Sequence, residues 1–281
     1  RNADIGLLTN PPVGEGMIEQ DTIVRWNQPA APGYYRMGLS CATGYDTAKP
    51  GQFIMVRTGT GATPLLRRPF SLLGLIREAD RVTGVEILYK VVGKGTERLS
   101  RCRDGDRLSV IGPLGNAFLV PENCRQLVLV AGGVGVPPIR FLAQSMLARE
   151  GSLNRCVVFV GGRTKDDLVC ITEFDLPGFL LDVSTDDGSQ GNQGMVTRSL
   201  EKALDAGPAD LICACGPPGM LKAVSAIALE RGIPCQVSIE AMMACGMGAC
   251  LGCAVKVRDD DERYRHVCVD GPVFDAHRLS W

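Results

Sequence analysis

The pattern of hydrophobic and polar positions changes once along the chain, near Pro121. Between Met17 and about Val120 the apolar residues fall in short runs separated by turn residues. The clearest are Gln52-Phe53-Ile54-Met55-Val56-Arg57, Val85-Glu86-Ile87-Leu88-Tyr89-Lys90-Val91-Val92 and Arg107-Leu108-Ser109-Val110-Ile111. Such runs, with little helical period, predict strands of a small antiparallel barrel or sandwich. After Pro121 the apolar runs become continuous: Gln126-Leu127-Val128-Leu129-Val130-Ala131, Cys156-Val157-Val158-Phe159-Val160 and Asp210-Leu211-Ile212-Cys213-Ala214-Cys215. The first leads through a Gly-rich turn into a helix predicted over 138–149, the third into one over 220–230. Strands apolar on both faces and alternating with helices predict a parallel α/β sheet.

The expected class is therefore α/β plus β, with a polar, turn-rich lead-in over 1–16, a β-barrel over 17–122, an α/β domain over 123–236 and a C-terminal module over 237–281. That module is too short to bury a core of its own, so something else must hold it.

Its cysteines supply a candidate. Cys245, Cys250 and Cys253 follow a C-x4-C-x2-C spacing, and Cys268 follows after fourteen intervening residues. This fits the plant-type [2Fe-2S] pattern. Three thiolates converging in so short a loop need tight backbone curls, which Gly246, Gly248, Ala249 and Gly252 allow. Structural zinc is the rival reading, but zinc sites usually supply two C-x2-C pairs or add histidine, whereas here there is one such pair and His266. The remaining cysteines (41, 102, 124, 156, 170, 213, 215 and 235) show no ligand spacing and read as small core residues.

Other loops carry weaker signals. Gly132-Gly133-Val134-Gly135-Val136-Pro137-Pro138 joins an apolar strand to a helix whose N-terminus could receive a pyrophosphate, although the same glycines suit any strand–turn–helix joint. It departs from G-x-G-x-x-G, and the second strand ends in Gly161-Gly162-Arg163 with no acidic ribose ligand. Thr185-Asp186-Asp187-Gly188-Ser189 and Cys215-Gly216-Pro217-Pro218-Gly219 stand where α/β sheets place ligand loops, and equally read as plain turns. Arg67-Arg68-Pro69-Phe70-Ser71 reads locally as an edge strand, and Gly93-Lys94-Gly95-Thr96 as a hairpin turn or a phosphate loop.

Composition narrows the classes. With 281 residues, about two domains are expected. Thirty Lys+Arg against 31 Asp+Glu give no case for nucleic acid or an anionic membrane. Two histidines argue against a His-based triad or multi-His metal site. Glycine, 34 residues of 281, exceeds the usual ~7%, which points to loops built around cofactors. No signal peptide and no membrane span are visible, so the thiols are expected in a reducing cytoplasm.

In order along the chain, these motifs resemble the ferredoxin-NADP reductase superfamily, and within it the electron-transfer subunits of class 1B dihydroorotate dehydrogenases. The resemblance runs from about Met17 to Trp281. It is carried by Arg68-Pro69-Phe70-Ser71, the stretch from Leu88 to Thr96, Gly112-Pro113-Leu114-Gly115, the Gly132 loop, Cys215-Gly216-Pro217, the cysteine cluster and Cys268-Val269-Asp270-Gly271-Pro272-Val273-Phe274-Asp275.

The resemblance implies a flavin-binding barrel, an NAD(P)-binding domain and a [2Fe-2S] module. Arg68 would hold the FAD pyrophosphate, Phe70 lie against the flavin and Ser71 near its N5. Pro69 lies within this stretch. Leu88, Tyr89 and Lys90 would line the isoalloxazine pocket, with Gly95 and Thr96 at the FAD phosphates. Gly132, Gly133, Gly135, Pro137, Asp187, Cys215, Gly216 and Pro217 would form the NAD side, with Cys215 beside the nicotinamide. Hydride would pass between NAD(H) and FAD, and single electrons between FAD and the cluster.

Dihydroorotate oxidation would belong to an FMN-bearing catalytic partner, in a heterotetramer of two of each chain. A flavin/iron–sulfur subunit of a hydrogenase, a sulfide dehydrogenase or a ferredoxin-NADP oxidoreductase is the alternative. A binding protein with a zinc-stapled tail is a reading of another class. Many family members carry a charged pair where this chain has Ala241-Met242, so the docking surface here would differ. Arg163 and Lys165 leave NAD over NADP to the resemblance.

Overall fold

The computed structural model describes residues 17–41, 43–59, 64–147, 153–258 and 263–281. The expected lead-in over 1–16 and the end of the helix expected over 138–149 lie outside them.

Strands β1 (Ile18–Ala31), β2 (Tyr34–Ser40), β3 (Phe53–Arg57), β4 (Arg68–Glu78), β5 (Arg81–Lys90) and β6 (Arg107–Leu114) close into an antiparallel barrel, in the order β1-β2-β5-β4-β3-β6. Alternation along each strand explains the closure. Ile54 and Val56 point inward with Leu72, Ile87 and Val110, while Phe53 and Met55 on the same strand point outward and are buried by something else. The segment expected as a turn at Gly93 opens helix α1 (Lys94–Leu99), whose Leu99 is fully buried in the barrel core. The barrel residues that receive Leu99, among them Val24, Ile54 and Ile87, are remote in sequence, and a local reading lacks them.

The second layer is a sheet of seven strands: β7 (Gln126–Gly132), β8 (Arg155–Gly162), β9 (Phe179–Thr185), β10 (Asn192–Gln193), β11 (Leu211–Cys215), β12 (Cys235–Ser238) and β15 (Val273–Asp275). Its order is β10-β9-β8-β7-β11-β12-β15, parallel except where β15 runs antiparallel to β12. Helices α2 (Val136–Leu147), α3 (Val196–Ala206) and α4 (Pro218–Glu230) flank it. Leu127, Leu129 and Ala131 face α2, and Val128 and Val130 face the side of α3 and α4. This two-sided burial is why β7 reads as a continuous apolar run.

The C-terminal segment has a hairpin, β13 (Ala254–Lys256) with β14 (Tyr264–His266), and then β15. It is held by lending β15 to the large sheet and by covering Phe53, Met55, Ile111 and Leu114 on the outer face of the barrel. Among the described residues no helix is long and apolar enough to cross a membrane.

Candidate functional site

At the C-terminal ends of β7, β8, β9 and β11 lies a cavity of about 410 Å³, where open parallel sheets bind ligands. Gly132, Gly133, Gly161, Gly162, Asp186 and Pro217 line it from the sheet, and Tyr34 and Lys90 close it from the barrel. The glycine turn works by close approach. Beyond β7, residues Gly133–Gly135 form a single 3-10 turn before α2. A Cβ on Gly135 would strike the Cys215 carbonyl and the Gly216 nitrogen. A Cβ on Gly132 would lie 2.6 Å from the Met220 sulfur, and one on Gly216 would lie 2.5 Å from its methyl. Met220 thus packs over two of the expected glycines.

The expected NAD-side residues separate into two groups. Gly132, Gly133 and Pro217 line the cavity. Gly135, Pro137 and Cys215 are buried beneath it, and Cys215 is only 2% exposed. Burial pushes the Cys215 thiol well up, so it remains protonated. Asp186 lines the cavity, whereas the Asp187 carboxylate turns to its own loop, accepting from the Ser189 N–H at 2.9 Å and hydroxyl at 2.7 Å.

The cavity mouth is crossed by a charge cluster that local sequence does not reveal. The Asp167 carboxylate accepts from the Tyr34 hydroxyl at 2.7 Å and the Lys90 ammonium at 2.9 Å, and from Arg163 Nε at 3.2 Å. Burial pushes the Asp167 carboxyl up, but the hydrogen bonds and charge of Lys90, with Tyr34 and Arg163, outweigh it and hold the group at about 2. Deeper in the interface, Glu173 receives Arg36 at 2.8 Å and Arg140 at 2.5 Å, and Arg36 also pairs with Glu86 at 2.8 Å. Arg140 further donates to the Leu73 carbonyl at 2.9 Å. The segment after β8 therefore ties the sheet domain to β2 and β5 of the barrel through both carboxylates.

On the barrel, strand alternation divides the expected flavin residues. Phe70 and Tyr89 point inward and meet edge to face at 5.8 Å, with the Tyr89 hydroxyl donating to Asn27 at 2.9 Å. Leu88 and Lys90 point out toward the sheet domain. Pro69 and Ser71 are half-buried opposite Met55 and Phe53 of β3. Arg68, Gly95 and a residue the sequence reading missed, Thr58, form a cradle. A Cβ on Gly95 would stand 3.4 Å from both Arg68 Nε and Thr58 Oγ1. Among the described residues the buried Thr58 hydroxyl has no partner, and Arg68 Nη1 donates to the loop carbonyls of Leu66 and Arg67. A buried orphan hydroxyl beside a guanidinium fits an anionic group such as the FAD pyrophosphate. Thr96 caps its own helix, accepting from the N–H groups of Val92 and Gly93.

The four candidate ligand cysteines stand as two pairs. Cys253 Sγ and Cys268 Sγ are 3.3 Å apart, and Cys250 bonds to Cys245 through its N–H at 3.4 Å and through its thiol. Among the described residues no three His, Cys, Asp or Glu side chains gather around a single ion. Backbone N–H groups turn toward the sulfurs: Met247 to Cys245 at 3.4 Å and Gly248 to Cys268 at 3.2 Å. Burial pushes the Cys245 thiol up, yet these donors bring it down to about 7, while burial holds Cys268 at about 12. Two thiol pairs with N–H donors match a two-iron cluster, in which each iron takes two protein sulfurs.

The chain matches the family model "Iron-sulfur cluster binding domain of dihydroorotate dehydrogenase B" over residues 240–280 and "Oxidoreductase NAD-binding domain" over 129–226. It is 37% identical to the dihydroorotate dehydrogenase B (NAD(+)) electron transfer subunit of Desulforamulus reducens, over 89% of this chain and 94% of that one. It is 40% identical to the same subunit of Caldanaerobacter subterraneus, over 82% and 86%. Among solved structures, an NADH-dependent reduced ferredoxin-NADP oxidoreductase studied for electron bifurcation superposes with a TM-score of 0.79 at 30% identity, covering 92% of this chain and 90% of that one. A ferredoxin NADP+ reductase from Neisseria gonorrhoeae, at 18% identity and TM-score 0.63 over 76% of this chain and 92% of that one, shares the fold. The higher identities favour dihydroorotate dehydrogenase over the ferredoxin-NADP oxidoreductase alternative. Barrel, sheet, paired thiols and these relatives agree that the chain belongs to the family of dihydroorotate dehydrogenase B electron-transfer subunits.

Proposed function

We propose that the chain relays electrons between NAD(H) and an FMN-containing catalytic subunit that oxidises dihydroorotate, in a cytoplasmic assembly of two of each chain. The two thiol pairs carry this reading, with Cys253 and Cys268 packed in the same core as Phe53 and Met55 of the barrel. FAD and a [2Fe-2S] cluster supply the two-electron and one-electron chemistry when bound. The chain's residues supply position and electrostatics. Arg68, Thr58 and Gly95 receive the flavin pyrophosphate. Gly132 and Gly133 offer an open backbone to the dinucleotide, and with Pro217 they line the cavity at two helix starts. Lys90 and Arg163, held by Asp167, place positive charge at the cavity mouth, and Cys215 lies buried beneath it as a neutral thiol. Cys245, Cys250, Cys253 and Cys268 hold the irons.

The test is an anaerobic spectrum of the purified full chain with iron and sulfide analysis, followed by NADH. Flavin and iron–sulfur absorbance that NADH bleaches supports the reading, and a colourless zinc protein sinks it. Co-purification with an FMN subunit that oxidises dihydroorotate supports the partner, whereas a nickel or iron–sulfur partner overturns it.

A further inference from the structure

The thiol loop has two neighbours on which it could be seated, the large sheet that accepts β15 and the barrel. Two contacts lock the cysteine-bearing segments to the barrel. Just beyond β6, Asn116 commits its whole amide to the segment that follows Cys268. Its Nδ2 donates to the carbonyls of Asp270 at 3.0 Å and Val273 at 2.8 Å, and its Oδ1 accepts from the Val273 N–H at 2.9 Å. Its own backbone N–H donates to the Gly271 carbonyl at 2.7 Å.

The second contact adjoins Cys245. Gly246, at φ +76°, approaches the outward side chain of Met55 so closely that a Cβ would stand 2.5 Å from its Cγ and 2.9 Å from its sulfur. Met55 is fully buried in the apolar core that also contains Cys253 and Cys268. On β3, Met55 pairs with Pro69 of β4, and its neighbours Ile54 and Phe53 pair with Phe70 and Ser71. One residue thus touches the loop that carries Cys245 and belongs to the strand hydrogen-bonded to Arg68–Ser71.

We propose that Met55 and Asn116 are positioning residues that seat the cluster loop on the outer face of the barrel and so set the spacing between the flavin-binding strand and the cluster. The proposal rests on the reading above for the identity of the two groups. An interior packed to crystal-like density transmits a lost side chain as a shift or a void. Electron passage from flavin to cluster should therefore depend on these two residues, and reduction of the flavin by NADH should not, because neither residue lines the dinucleotide cavity.

The experiment uses the full chain with Met55→Ala, Met55→Leu and Asn116→Ala, followed by stopped-flow absorbance after NADH mixing. Iron content and the low-temperature EPR spectrum of the dithionite-reduced protein give readouts independent of turnover. Met55→Ala and Asn116→Ala should slow the cluster-reduction phase on the order of tenfold while flavin bleaching stays within about twofold of wild type. Their EPR lines should broaden or shift. Loss of iron with flavin retained also counts as failure of the seat and supports the proposal. Met55→Leu, which conserves volume, should behave as wild type.

The proposal is overturned by cluster reduction and EPR lines that match wild type in both alanine variants, by equal slowing of both phases, or by Met55→Leu as slow as Met55→Ala. Failure of the functional reading itself looks different: the wild-type chain would then lack flavin or iron–sulfur absorbance.

Discussion

Asp167 shows how much a single side chain can join. Its partners Tyr34 and Lys90 lie 133 and 77 positions away in sequence, so no local pattern marks it. Its folded pKa of about 2 lies below the ordinary 3.8. A lowered carboxyl stabilises the fold fully above the unfolded pKa and loses that contribution as pH falls through the folded one. Asp167→Asn should therefore cost about 2 kcal/mol near neutrality, less than a fully buried pair because Lys90 and Arg163 are partly solvated. Denaturant unfolding of wild type and variant checks this. The gap should close as pH falls from about 4 toward 2, and a gap unchanged with pH rules out the ion-pair account. The ligand cysteines are the opposite case: three of the four lie within nine residues, so chain geometry alone brings them together and spacing is enough to find them.

At the scale of elements, the strand–turn–helix joint after β7 depends on the approach of two strands. Gly135 lies against the backbone of Cys215 and Gly216 at the end of β11, and backbone cannot rotate away as a side chain can. Gly135→Ala should lower stability by about 3 kcal/mol and abolish NADH bleaching of the flavin even where flavin remains bound, as thermal melts and absorbance would report. A protein with unchanged melting and bleaching contradicts the close approach. The glycine was visible in sequence, but its reason was not, since β7 and β11 are separated by three other strands along the chain. The same limit explains α1. Gly93-Lys94-Gly95-Thr96 has the residues of a turn, and the Thr96 cap together with the burial of Leu99 in the barrel makes it the start of a helix. Strands β7, β8 and β11 were legible because burial on both faces writes itself as an unbroken apolar run. Strands β1, β2 and β9 were not, because their mixed burial breaks that signal.

Across the whole molecule, the C-terminal module is structural as well as ligand-bearing. It completes the edge of the large sheet through β15 and buries Phe53 and Met55 on the barrel. A chain truncated after Ile239 should expose that apolar face, bind a hydrophobic dye and self-associate, as sedimentation would show. A monomeric truncated chain with the wild-type melting point contradicts this. Sequence alone determined what periodicity and spacing encode: a β-rich half, an α/β half and a thiol set for a two-iron cluster. Those features depend on residues within one element or one loop, where covalent geometry fixes the distances. The tertiary structure alone decided how the modules meet. The Asp167 and Glu173 bridges, the meeting of Gly95 with Thr58 and Arg68, and the Asn116 anchor each join residues remote in sequence. Their meeting depends on how whole layers pack, and no pattern along the chain records it.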